Sequence, residues 1–362
     1  MHILVIHPRF CIRALKQIEA LLERGNIKIS IILDSKHYGT RLTDYVKKHA
    51  TIYSLRFHDN IYWNFRLTQL LKRITPDVDI IHCHNEPNYH LRVVLSKYKD
   101  KIPVVYDIHD LTSMRTNREE PDEAYAYRNA DAVIHVSQGF IHYGDEKYGQ
   151  QNSHAILSLP SKRHALIPRQ QKTPKAPYRF VYQGGVIDSG FEKRTHTHYR
   201  DYSDIFRSIL EEGHSLDVYS ASGTSRLPKM QQLQKEFNHL SLHKPLPYSE
   251  LLHALQGYDF GIIGFSFDYD ISKETKKYLH AAMGNKLFDY VFAGIPSIVI
   301  NADEMARFVI ENRCGLVKKT ETSWTETIEA ADLEWDLKDV TETYCMEREV
   351  EKLIAIYTDI RH

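Results

Sequence analysis

Lys286 and Asp289 stand three residues apart at the start of an apolar run, a spacing that puts both on one face of a helix. The stretch Asn285-Lys286-Leu287-Phe288-Asp289-Tyr290-Val291-Phe292-Ala293-Gly294-Ile295-Pro296-Ser297-Ile298-Val299-Ile300 reads as a loop, a short amphipathic helix, a turn and a buried strand. A polar Asn285-Lys286 pair sits where the first backbone N–H groups are unpaired and the helix dipole favours an anion such as a diphosphate. Asp289 can accept hydrogen bonds from neighbouring hydroxyls, as acidic residues do for ribose in other nucleotide sites. The plain alternative is a solvated lysine with an aspartate that complements the dipole.

A second constellation lies in Asp79-Ile80-Ile81-His82-Cys83-His84-Asn85-Glu86-Pro87. Extended chain places His82 and His84 on the same side, with His84 at the carboxyl end where α/β ligands bind. A metal pair and a hydrogen-bonded core histidine are the other readings. No third ligand has suggestive spacing, so no bound metal is expected, and His82 suits a core position. Val104-Val105-Tyr106-Asp107-Ile108-His109-Asp110 ends another strand, with His109 and Asp110 at its carboxyl end.

The elements that must position these residues alternate from the first residue. Strand-like runs at 3–6, 27–33, 78–83, 103–108 and 132–137 are separated by helical patterns, the first on Ile12, Leu15, Ile18 and Leu22. A polar segment with three prolines at 167–179 has the composition of a linker. A second α/β series follows, with strands expected at 179–183, 216–220, 240–243, 260–265, 296–300 and 315–317. The expectation is two tandem Rossmann-like domains, 1–172 and 173–345, with a terminal helix over 346–362.

At 362 residues the chain exceeds one ordinary core, and 42% hydrophobic with 26% charged residues describes a globular protein. No apolar run is long enough to span a bilayer and the first residues lack signal-peptide features, which predicts a cytoplasmic protein. Cys11, Cys83, Cys314 and Cys345 lie far apart with no C-x-x-C spacing, which argues against both a disulfide framework and a zinc site and suits buried thiols. Net charge is zero, yet residues 1–170 hold 24 Lys/Arg against 18 Asp/Glu, so the first half is basic. That moderate excess suits a phosphate-bearing acceptor or an anionic membrane surface, not duplex nucleic acid.

The 285–300 segment resembles the "N-K-L-F-E-Y-x-x-A-G-K-P-V-I" signature of GT-B glycosyltransferases of the family 4 type, with Asp289 in place of the usual Glu. His82–Pro87 resembles the same family's "H-x-H-E/N-P" segment, and 129–137 its "A-D-x-V-I-x-V-S" segment, where Ser137 caps a helix. The resemblance implies the GT-B architecture with a deep cleft between the two domains. It further implies a retaining transferase that uses a nucleotide diphosphate sugar as substrate and a saccharide or lipid-linked acceptor, with no cofactor or bound metal. By resemblance His84 lies beside the reacting sugar carbon, and His109 and Asp110 lie near the acceptor. Gly184, Gly185, Lys244, Leu246, Asn285, Lys286 and Asp289 fall at donor-binding positions. The family's diphosphate Arg after the first glycine is missing, so Lys193 and Arg194, with Arg200 behind them, are candidates to replace it. The first strand ends in His7-Pro8-Arg9-Phe10 where the family has a Gly-rich turn. A GT-B nucleotide-sugar epimerase and a non-catalytic GT-B subunit are the rival functions.

Two other segments are singled out. The unusually long loop expected at 266–284 carries Asp268, Tyr269 and Asp270, which suit a donor sugar or a lid. Residues 56–74 interleave aromatics and cations, which fits either a helix docked on its own sheet or one lying in a membrane interface.

Overall fold

Strands buried on both faces read as continuous β-branched runs, and that is how these strands are used: every pairing in both sheets is parallel. The computed structural model describes residues 1–85, 87–166, 174–187, 198–220, 227–266 and 271–361. The chain forms two units, one of residues 1–161 with 346–362 and one of residues 162–345.

The first unit is built on β1 (His2–Ile6), β2 (Lys28–Asp34), β3 (Thr51–Leu55), β4 (Ile80–His84), β5 (Val104–Asp107), β6 (Ala132–His135) and β7 (Ser153–Ala155), in the order 3-2-1-4-5-6-7. Strand order reverses between β1 and β4, where Ile6 pairs with Cys83. Such a reversal opens a crevice at the carboxyl ends of the two strands. The helix Ile12–Leu22 buries Ala14, Ile18 and Leu21 against Ile3, Val5 and Ile31, and the terminal helix Met346–Asp359 adds Val350, Leu353 and Tyr357 to the same core. Each such aliphatic side chain contributes roughly 1.5–3 kcal/mol by leaving water. Polar contacts fix the terminal helix further: Glu349 Oε2 accepts from Leu157 N at 2.7 Å, and Tyr357 Oη lies 2.5 Å from His82 Nδ1.

The second unit contains β8 (Arg179–Gly184), β9 (Ser215–Ser220), β10 (Leu240–His243), β11 (Phe260–Gly264), β12 (Ser297–Ile300) and β13 (Gly315–Lys318), in the order 10-9-8-11-12-13. Its reversal lies between β8 and β11, so Gly184 and Gly264 end the strands that border the crevice.

Several elements go beyond the sequence expectation. The short strands β3 and β7 were not foreseen, and the supposed loop at 266–284 contains a helix, Lys273–Ala281, capped by Ser272 and burying Thr275, Tyr278 and Leu279. The helix Asn60–Ile74, capped by Asp59, docks through Trp63, Leu67 and Leu71 at four-residue spacing, while Ile61 stays 85% and Phe65 59% exposed on its outer side. Among the described residues no helix is long and apolar enough to cross a membrane.

Candidate functional site

Two constellations form at the two sheet reversals. In the second unit, the helix Asn285–Phe292 starts after Gly284, and no side chain caps it. Its first N–H groups therefore have no side-chain acceptor of their own. Lys286 reaches across to β8, with Nζ 3.2 Å from Tyr182 Oη and 4.9 Å from the Tyr182 ring centre. Gly184 makes this path possible. Its φ of +124° is open to glycine, and an added Cβ would overlap Lys286 Cε. Burial, helped by the nearby Arg200 guanidinium and opposed by Asp289, pushes the Lys286 ammonium down to about 7. Arg200 is thus near enough to disfavour the Lys286 charge, which a bound anion would favour.

Asp289 is buried one turn further on. Its Oδ1 accepts from Tyr248 Oη at 2.7 Å and its Oδ2 from Gln183 Nε2 at 3.0 Å. The carboxylate thus joins β8 to the helix Tyr248–Leu255. Behind it, the Tyr290 ring fills the space left by Gly261 of β11, and its hydroxyl accepts from Gln183 N at 3.0 Å.

In the first unit the ends of β1, β4 and β5 converge on Asp107, which is fully buried. Arg13 grips it through Nε to Oδ1 at 2.9 Å and Nη2 to Oδ2 at 3.3 Å, and Gln17 Nε2 donates to Oδ2 at 2.9 Å. Burial alone would raise the Asp107 carboxyl, but the Arg13 guanidinium and the His82 hydrogen bond outweigh it and hold the group well below the usual carboxylate range. His82 bridges Tyr357 and Asp107, a core role. His84 is only 1% exposed and stacks between His7 and His82 at ring distances of 4.9 and 4.6 Å. Its Nδ1 lies 2.9 Å from His109 Nε2, and His109 carries the accessible edge, 16% exposed. Burial pushes His7 and His84 well below the usual imidazole range and His109 to about 4, so these rings are neutral at neutral pH. Asn85 fixes the loop after β5, accepting from His109 N at 2.9 Å and donating to the Asp110 carbonyl at 2.7 Å.

Residues 15–156, all in the first unit, match the model of Glycosyltransferase Family 4. A glycosyltransferase from Rickettsia africae ESF-5 superposes with a TM-score of 0.71 at 12% identity, covering 99% of this chain and 98% of its own. The fold is GT-B. Other GT-B neighbours are the UDP-GlcNAc 2-epimerase from Neisseria meningitidis bound to UDP-GlcNAc (TM-score 0.59, 12% identity, 99% and 100% covered) and the N-terminal domain of Candida albicans trehalose-6-phosphate phosphatase (0.63, 11%, 99% and 97%). No curated protein sequence matches the chain.

Placed in the GT-B frame, the sequence-derived residues fall into groups. Gly184, Gly185, Asn285, Lys286 and Asp289 gather around one helix start in the second unit, with Arg200 beside Gly185. Lys244 and Leu246 are exposed in the loop after β10. His84, His109 and Asp110 gather in the first unit, where Asp110 Oδ2 accepts from Arg115 Nη1 at 3.0 Å. Lys193, Arg194, Glu86, Asp268, Tyr269 and Asp270 lie outside the described residues. Sequence reasoning did not single out Tyr182, Gln183, Tyr248, Arg13 or Asp107. Asp107 carried one available signal: it precedes His109 by two residues and shares its strand end.

Proposed function

We propose that the protein transfers a sugar, with retention, from a nucleoside diphosphate sugar to a saccharide or lipid-linked acceptor, as in polysaccharide assembly. The observation that carries this is the pair of cations, Lys286 and Arg200, beside an uncapped helix start and a glycine strand end. Charge develops on the leaving diphosphate in the transition state, and donors fixed before the reaction stabilise it more there than in the ground state. Arg200 takes the part of the family's missing arginine. Asp289, with Tyr248 and Gln183, faces the ribose end of the nucleotide. The Gly184–Gly185 backbone lets the diphosphate approach, and Asn285, Lys244 and Leu246 complete the donor side.

In the first unit His109 and Asp110 receive the acceptor. Because His84 is buried behind His109, it acts by orienting that ring. The nucleotide sugar is a substrate, so no cofactor enters the scheme, and neutralisation by Lys286 and Arg200 does the work that a metal ion does at other diphosphates. The outer side of the helix Asn60–Ile74, with Ile61 and Phe65 exposed near Arg66, Lys72 and Arg73, fits a peripheral contact with an anionic membrane face of the cytoplasm.

A thermal-shift panel of UDP-, GDP-, ADP- and CMP-sugars tests the donor site. Stabilisation by one diphosphate family, lost in Lys286→Ala, supports the proposal, and no shift with any member contradicts it. Epimerisation of a UDP-sugar without an acceptor would move the assignment to the epimerase class.

A further inference from the structure

The His7 ring is 1% exposed, and neither of its nitrogens has a hydrogen-bond partner. A buried imidazole satisfied at neither nitrogen is uncommon and costly, because a donor and an acceptor both lose water without replacement. Around it lie two further groups with lone pairs. We infer that His7, Cys11 and His109 form a binding site for a borderline divalent metal ion of the zinc class, with one coordination position open.

The geometry supports this in three ways. First, the ligand atoms of the three residues all lie within 4.8 Å of one another. Cys11 Sγ and His109 Nδ1 are 3.5 Å apart. Ligands bound at about 2.0–2.3 Å around a tetrahedral zinc ion stand roughly that far from each other. Second, the fold assembles what sequence spacing could not. His7 follows β1, Cys11 precedes the helix Ile12–Leu22, and His109 follows β5. The sheet reversal between β1 and β4 draws them to one crevice.

Third, the surroundings hold the ligands ready. His109 Nε2 is occupied by His84 Nδ1 at 2.9 Å, which orients the ring and leaves Nδ1 toward Cys11. With Nδ1 facing the ion, His109 donates its Nε2–H to His84 Nδ1, the outer-layer hydrogen bond that fixes a metal-bound histidine. The neighbouring set His82, His84 and Asp107 is unsuited to an ion, since Asp107 is engaged by Arg13 and Gln17 and His82 by Tyr357.

The His7 and His109 rings each have a nitrogen that offers a lone pair. Cys11 is a thiol, so metal binding forms the metal–sulfur bond and releases its proton to solvent. His7 is buried, whereas Cys11 and His109 keep exposed edges, so the open position lies on their side and takes a water.

The test is a cobalt titration of the full chain after dialysis against a chelator. The wild type is expected to bind one equivalent of Co2+ with a thiolate-to-cobalt charge-transfer band and the visible bands of a four-coordinate ion, and to lose both on adding Zn2+. Cys11→Ser should lose the charge-transfer band, His7→Ala should weaken binding about 10-fold or more, and Cys314→Ser, in the other unit, should keep the wild-type spectrum. Circular dichroism confirms that each protein is folded. Folded wild type with no charge-transfer band at saturating cobalt overturns the site without reference to any variant. So does Cys11→Ser with the wild-type band, or His7→Ala with unchanged affinity.

Discussion

Replacing Gly184 by Ala probes the proposed donor site through a single carbon. Gly184 ends β8 at φ +124°, and the new Cβ would overlap Lys286 Cε and stand 2.9 Å from Nζ. The strained backbone costs about 1–3 kcal/mol. It should lower the melting temperature by several degrees, at roughly 2–4 °C per kcal/mol in a domain of this size. The larger consequence is displacement of the Lys286 ammonium, which loses its path over the Tyr182 ring. A charge-assisted hydrogen bond to a diphosphate contributes about 1.5–3 kcal/mol, so affinity should fall about 10- to 150-fold. Calorimetry should compare the cognate nucleoside diphosphate with its nucleoside. The expected result is a large loss for the diphosphate and little change for the nucleoside. Unchanged diphosphate affinity in a folded Gly184→Ala protein would refute the placement of the phosphates. Equal losses for both ligands would show damage to the domain instead.

Three further outcomes follow from the same geometry. Asp107→Asn leaves the buried Arg13 without its anion, which should cost about 3–5 kcal/mol in urea unfolding, and a loss under about 1 kcal/mol would contradict the buried pair. Lys286 is charged below about 7 and neutral above it, so diphosphate affinity should fall as pH rises from 7 to 9, where the phosphates stay ionised, and the slope should vanish in Lys286→Ala; a flat wild-type profile would show that the ammonium takes no part. Vesicle sedimentation should show salt-sensitive binding to anionic but not neutral lipid, lost in Ile61→Ser with Phe65→Ser, and equal binding to both lipids would remove the membrane contact.

The α/β class was legible because buried parallel strands write themselves as β-branched runs, and because helical spacing of Ile12, Leu15, Ile18 and Leu22 survives in the helix Ile12–Leu22. Short elements with little apolar content were not. β3 pairs along one side of β2, β7 is three residues long, and Lys273–Ala281 buries only three residues among lysines. The difference between the two sites has the same root. Lys286 and Asp289 are read together because they are neighbours on one helix, whereas the partners that give them meaning, Gln183, Arg200 and Tyr248, arrive from distant elements. The group around Asp107 is more extreme. Its members are spread from His7 to Tyr357, and strand order is what brings them into contact. Spacing along the chain could expose His82 and His84 as a pair, but it could not show that His84 would be buried behind His109.

The most direct test of the transferase proposal is turnover of labelled nucleoside diphosphate sugars by the full chain, with and without a mixture of saccharide and lipid-linked acceptors. The account predicts that one donor releases its nucleoside diphosphate, faster when acceptor is present, with label recovered on the acceptor. Lys286→Ala should slow this by about 10-fold or more, as loss of roughly 1.4 kcal/mol of transition-state stabilisation requires. Acceptor-independent conversion of an intact donor, or turnover undiminished in Lys286→Ala, would contradict it.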